Sequence, residues 1–260
     1  MKISSVLLLI LGLIALGECP AQAYIPPSQF IIKTMVAKRP KPHSIRIRTT
    51  VTAMEAEKIT VFHFKESTYF DLQSQTMKSR ATDDSGKDLY YAEHPFRLSE
   101  ELLFGSNPAT VIHVLREAGI LIRLENEDEK EKTEMTWLGR WKGLLTWVIG
   151  GKKANEPQLW IEKDRFLPVR LRMSNSNPWA ELQCEGYHFY KELPFPQLMT
   201  VLRNSDEKES AFLQSELQDL VVNPDLMINA PNTPNHFTEA GNSAPEKVRE
   251  LIRFYYSSVR

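Results

Sequence analysis

Between residues 45 and 52 apolar and polar side chains alternate. Ile45, Ile47, Thr49 and Val51 fall on one phase, and Arg46, Arg48, Thr50 and Thr52 on the other. A helix has no such period; the pattern specifies a strand with one face in a core and one in water. Comparable segments follow at hairpin spacing, at 58–65, 68–73, 77–82 and 88–92. After a break they resume at 120–124, 135–142, 144–149, 158–162, 167–173, 179–190, 198–204 and 211–222. Asp83-Asp84-Ser85-Gly86 and Gly150-Gly151 supply turns. Successive strands without alternating helices predict an antiparallel meander and not βαβ units.

Helical signals interrupt the meander in a few places. Phe30, Ile31 and Met35 form an apolar stripe between Pro26-Pro27-Ser28 and Lys38-Arg39-Pro40. Ser99–Leu103 reads as one helical turn stopped by Gly105. Asn107-Pro108 opens a clearer helix, with Val111, Ile112 and Leu115 on one face and Gly119 past its end. Near the C-terminus Ser243-Ala-Pro-Glu246 is a capping-box start, and Val248, Leu251, Ile252 and Tyr255 follow at helical spacing. The charge run 125–134 reads as a solvated loop, and 229–244, with Pro231, Pro234 and four asparagines, as a linker.

The N-terminus carries an address. Lys2 precedes an apolar run from Val6 to Leu16, too short for a comfortable membrane span, and Ala21-Gln22-Ala23 is a small-x-small cleavage pattern. Residues 1–23 are therefore expected to be a secretory signal cleaved between Ala23 and Tyr24. Glu18 before Cys19 argues against a lipoprotein signal. Cleavage would leave Cys184 as the single thiol, so no intrachain disulfide could brace the domain. A net charge of −1 offers no electrostatic footprint for nucleic acid.

Catalytic patterns are sparse. The six histidines, at 43, 63, 94, 113, 188 and 236, form no His-Glu-x-x-His, and none has metal-ligand spacing to a cysteine or carboxylate. Gly-x-Ser-x-Gly and a phosphate-cradling glycine loop are both missing. The expectation is a protein without catalytic residues, metal or cofactor. What the chain does carry is more apolar bulk on its strands than a flat sheet needs. Leu167, Val169, Leu171 and Met173 share one face, while Met135, Trp137 and Trp141 fall in one phase. A long twisted sheet curls, and its concave face must be filled or covered. If helices fill it completely these residues are core; if they fill it incompletely, an apolar cavity remains that can hold a lipid tail. The candidate lining residues are Ile47, Val51, Val61, Met135, Trp137, Trp141, Val169, Leu171 and Met173. Val111, Ile112 and Leu115 are the candidate lid residues.

The segment Gln158-Leu-Trp-Ile-Glu-Lys-Asp-Arg-Phe-Leu-Pro-Val-Arg-Leu171 resembles the strand–turn–strand of the LolA-like outer-membrane lipoprotein-sorting family. Gly186–Pro196 followed by 198–202, and the ending Leu220-Val-Val-Asn-Pro224, resemble that family's later hairpin and final strand. Over about residues 24–228 the resemblance implies an α+β fold: an unclosed antiparallel β half-barrel covered by helices, with an apolar cavity between. The linker 229–244 and the helix 245–260 lie beyond the pattern. The resemblance also implies a periplasmic, non-enzymatic carrier or binder of lipid or lipoprotein acyl chains, with a membrane-bound donor or acceptor protein as a possible partner. The alternative is a regulatory or scaffold module of the same fold that binds a protein in envelope-stress sensing or assembly. Arg46 and Arg48 stand in a suitable early strand for the family's lid-gating arginine, and the local motif selects neither.

Overall fold

The alternation at 45–52 is realised as β1 (Ser44–Glu55), the middle of a long antiparallel sheet. The computed structural model describes residues 24–55, 60–121, 135–153, 155–173, 179–205, 208–225 and 235–258. The expected signal at 1–23 and the charge run 125–134 lie outside them. Before β1 stands helix α1 (Ser28–Ala37); after it come β2 (Thr60–Asp71), β3 (Thr76–Thr82) and β4 (Asp88–Pro95). Helices α2 (Leu98–Phe104) and α3 (Pro108–Glu117) follow. The second run of strands is β5 (Thr136–Trp141), β6 (Leu144–Gly150), β7 (Gln158–Glu162), β8 (Pro168–Met173), β9 (Trp179–Tyr190), β10 (Leu193–Ser205) and β11 (Lys208–Val222). The chain ends in a two-residue β12 (His236–Phe237), a short α4 (Glu239–Asn242) and α5 (Glu246–Ser258).

All twelve strands join one unclosed antiparallel sheet, in the order β12-β4-β3-β2-β1-β11-β10-β9-β8-β7-β6-β5. Two meanders meet at the β1–β11 seam, where Ile45 pairs with Val222 and Val51 with Ser215. The connection from β4 to β5 must pass from one end of the sheet to the other, and α2 and α3 lie in that crossing. They pack with α1 and α5 on one face, here called inner, whose side chains form the core. Paired residues share a face. Leu138, Trp147 and Ile161 are therefore inner, while Trp137, Val148, Trp160 and Arg170 are outer.

The elements differ from the sequence expectation in informative places. The strand β2 runs unbroken through Lys65-Glu66-Ser67, where a gap between two strands was expected. Residues 120 and 121 are a buried bend after Gly119, whose φ of 69° only glycine adopts freely, and not the start of a strand. Helix α1 buries Ile31, Ile32, Met35 and Val36, but Phe30 is exposed. In α3 the Asn107 side chain accepts from the Ala109 N–H, and Val111, Ile112 and Leu115 are buried. Residues 235–244 carry β12 and α4 against the β4 edge, where Asn235 Nδ2 donates to the Glu93 carbonyl at 3.0 Å and Thr238 N–H to Leu89 O at 3.1 Å. Among the described residues no helix is long and apolar enough to cross a membrane.

Candidate ligand-binding site

The inner face is an apolar floor roofed by helices. Ile47 and Val51 of β1 and Leu171 of β8 are on it and buried; Met173 is half-buried against the same core. Val169 is buried beside the register shift at Trp160/Ile161, and Val61 lies in β2 with its side chain outside the described residues. From above, Val111, Ile112 and Leu115 of α3 and Ile31, Ile32 and Met35 of α1 complete the packing. A void of about 10 Å³ lies between α2, α5 and the central strands, lined by Ser99, Glu100, Leu103, Leu182, Met199, Val201 and Tyr255. That is the room one water needs, and no acyl chain fits it.

Beneath α5 the floor turns polar. In register across five strands stand Thr49, Glu66, Ala81, Tyr90 and Phe237; beside them run Ile47, Thr68, Ser79 and Ala92. Thr49, Glu66, Thr68 and Ser79 are each at most 2% exposed. Glu66 Oε2 accepts from Thr49 Oγ1 at 3.0 Å and from the Tyr255 hydroxyl of α5 at 3.2 Å, and Oε1 accepts from Ser79 Oγ at 2.8 Å. Ser79 Oγ also meets Thr68 Oγ1 at 2.9 Å and the Tyr256 hydroxyl at 3.2 Å. Burying a carboxylate costs several kcal/mol, of order 5, unless hydrogen bonds satisfy it, and these hydroxyls do so. Burial, reinforced by the Glu66 charge, pushes the Tyr256 phenol well above its ordinary value.

Two arginines hold the ends of the roof. Arg97 Nη1 donates to the carbonyls of Tyr256 and Ser257, both at 2.7 Å, which caps the C-terminus of α5. Arg39 Nη1 donates to Glu101 O and Gly105 O, each at 3.1 Å, and Nη2 to Leu102 O, which caps the C-terminus of α2. Burial lowers the Arg39 guanidinium to about 10, against the opposing charges of Tyr187 and Glu101. Glu101 is raised by burial despite Arg39. Glu100 Oε1 and Glu101 Oε2 are buried without a hydrogen-bond partner.

The outer face holds what sequence reasoning placed inside. Trp137 and Trp141 share the outward register with Gly139, and Met135, in the same phase, is 40% exposed. The expectation that these three line a cavity is corrected by the pairing, which puts them on the outer phase; Leu138, one residue out of phase, falls on the inner phase yet is 36% exposed. Trp141 packs edge-on to Trp160, and the Arg170 guanidinium lies 4.5 Å from the Trp141 ring centroid and 5.3 Å from that of Trp160. Arg170 and Arg172 both bond Glu181, which is 1% exposed, and Gln183 adds a third donor. Hydrogen bonds from Arg170 and the charges of both arginines outweigh burial and hold Glu181 below the usual carboxylate range. Arg46 and Arg48 also belong to this outer phase; Arg48 lines an open cleft of about 540 Å³ with Lys65 and Arg80. Arg39 and Arg97, outside β1, are the arginines bonded to the roof, and no sequence motif marks either. Cys184 is a buried thiol in no disulfide, and it interacts with the Tyr187 side chain. Among the described residues no group of three or more histidine, cysteine, aspartate or glutamate side chains is placed to hold a metal ion.

No family model matches the chain, and no curated protein matches it in sequence. Similar solved structures include one described as an outer membrane lipoprotein-sorting protein domain from Vibrio parahaemolyticus, 9% identical with a TM-score of 0.48 over 76% of this chain and 93% of that one. A LolA superfamily protein from Nitrosomonas europaea is 10% identical with a TM-score of 0.48, over 78% of this chain and 96% of its own. A DUF1329 family protein from Desulfovibrio piger is 12% identical with a TM-score of 0.48, over 76% and 93%.

Proposed function

We propose that this chain is a periplasmic, non-enzymatic binder or carrier of acylated ligands, lipid or lipoprotein, which take the place of side chains that now fill the inner face. The observation that carries the reading is the separability of roof and floor. Among the described residues no backbone hydrogen bond joins α1, α2, α3 or α5 to a strand. The twelve-stranded ladder can stay intact while helices move, and what they uncover is an apolar concave surface. Burial of acyl chains there is non-directional, so selectivity among chains would be low. The void between α2, α5 and the central strands measures about 10 Å³, so on this reading an acyl chain enters there only as the helices move. A membrane-bound donor or acceptor protein fits as the agent of opening.

The filled face also suits a module of this fold that binds a protein partner and takes up no lipid. Native mass spectrometry separates the two. Protein isolated from an envelope extract, or incubated with excess phospholipid, is expected to carry adducts of acyl-lipid mass at one per chain. A spectrum with no adduct under either condition overturns the carrier reading and leaves the partner-binding one.

A further inference from the structure

We infer that α5 is an intramolecular occupant of the ligand site, and that Glu66 beneath it is the subsite for the hydrogen-donating head group of an amphiphile. The inference rests on the acyl-binding reading above and names where the polar end of the ligand goes.

The floor itself argues for it. A surface that served only as core would gain from apolar side chains throughout, since each buried polar group has to be matched. Here four polar residues from three strands converge on one place, Thr49, Glu66, Thr68 and Ser79, while the floor around them is apolar except for Ser215. What α5 presents to that place is an apolar body with a donor at its tip. The Tyr255 ring packs edge-on against Phe64 with centroids 6.4 Å apart, and its hydroxyl reaches Glu66. The Tyr256 ring stacks on Tyr90 at 4.9 Å, and its hydroxyl reaches Ser79. An amphiphile with an ammonium or hydroxyl head group reproduces both contacts, and an ammonium matches a carboxylate best.

The way α5 is attached suits a removable occupant. It is the last described helix, and the segment before it is fastened separately to the β4 edge through β12, Asn235 and Thr238. It could therefore swing away without unzipping a strand, by release of the Arg97 bonds to the Tyr256 and Ser257 carbonyls. The side of the void formed by Tyr255 would open with it, joining the space under α2 to the polar subsite.

The test uses the purified protein with dodecylammonium, dodecanol and dodecanoate as probes. Affinity is read by displacement of a fluorescent fatty acid, and α5 by amide hydrogen exchange. Wild type is expected to bind dodecylammonium at least about tenfold more tightly than dodecanoate, the scale of one charge-assisted hydrogen bond. Dodecanol should fall between them. In Glu66→Gln the preference is expected to shrink to within about threefold. Bound ligand is expected to speed exchange of amides at 248–256 while the β1–β11 amides stay protected. Tyr255→Phe, which removes only the competing hydroxyl and tests the same point if Glu66→Gln folds poorly, is expected to tighten binding severalfold. Faster exchange in α5 without a head-group preference overturns the Glu66 subsite. Ligand bound with α5 as protected as before overturns the displacement but spares the acyl-binding reading. Failure of wild type and Tyr255→Phe alike to bind any probe overturns both.

Discussion

A buried guanidinium is costly, and Arg39 is kept because the three carbonyls at the end of α2 leave it few alternatives. Arg39→Ala is expected to lower stability by about 2–4 kcal/mol in urea unfolding, since several charge-assisted bonds are lost and the carbonyls remain buried. Arg39→Lys should recover less than half, because a compact ammonium cannot span the acceptors that a planar fork reaches. On the outer face Glu181 sets an acid-dependent term. Its folded value is held below the ordinary one near 4.5, so its contribution is complete above that pH and is lost as pH falls through the folded value. Glu181→Gln removes the buried carboxylate charge that Arg170 and Arg172 both bond, with an expected cost of about 3–5 kcal/mol at pH 7. The gap to wild type should narrow as unfolding is measured progressively below pH 4.5. The same residues mark the limit of what sequence reveals. Ile47 and Val51 were legible because their alternation has bulk on one phase only. At 135–141 both phases carry bulk, and the Trp141 ring of the outward phase is covered by Arg170, a partner three strands away. Glu66 was hidden for a similar reason: Lys-Glu-Ser reads as a turn until Thr49, Ser79 and Tyr255, far off in the chain, satisfy the carboxylate.

Elements with local causes were read well and those with distant ones were not. Helix α3 has its cap, its proline and its apolar face within a dozen residues, and it forms where expected. The apolar spacing from Val248 to Tyr255 announced α5, whereas the capping box expected at 243–246 is not formed: the helix opens at Glu246 after Pro245, and Ser243 ends α4 with its hydroxyl on the Glu239 carbonyl. Nothing near the helix says that Tyr255 and Tyr256 would lie on β2 and β3. The β9–β10 hairpin shows a local cost instead. Lys191 and Glu192 both sit at positive φ, 47° and 70°, in a two-residue turn where glycine or asparagine is the usual choice. Glu192→Gly is expected to stabilise the protein by roughly 0.5–1 kcal/mol, read as a higher midpoint with an unchanged denaturant slope. Gly241 has the opposite character. A Cβ there would run into the Leu89 carbonyl oxygen and approach the Phe237 ring at 2.9 Å. Gly241→Ala is expected to lift α4 from the β4 edge, which limited proteolysis would detect as earlier cleavage near 235–245 while the sheet stays resistant.

At the scale of the whole molecule, topology explains why a roof exists. The strand order puts β4 and β5 near opposite ends of an open sheet, so the chain between them has to cross a face, and α2 and α3 are that crossing. The meander and its helical break were visible in the sequence; the β1–β11 seam was not, because pairing Ile45 with Val222 leaves no local trace. If an acyl chain reaches the inner face only by moving the roof, this constrains kinetics more than affinity. A ligand that needs space the closed form lacks has to wait for opening, and its apparent affinity is reduced by the fraction of molecules open. If opening precedes binding, the observed rate of uptake of a fluorescent fatty acid in stopped flow should level off at the opening rate as ligand is raised. Arg39→Lys, which loosens the clasp on α2, should raise that plateau while leaving the dissociation rate from the open form little changed. A rate that climbs linearly to the highest ligand concentration, with the same slope in wild type and variant, would mean that the acyl chain binds a surface already exposed. The inner face would then be core and nothing more.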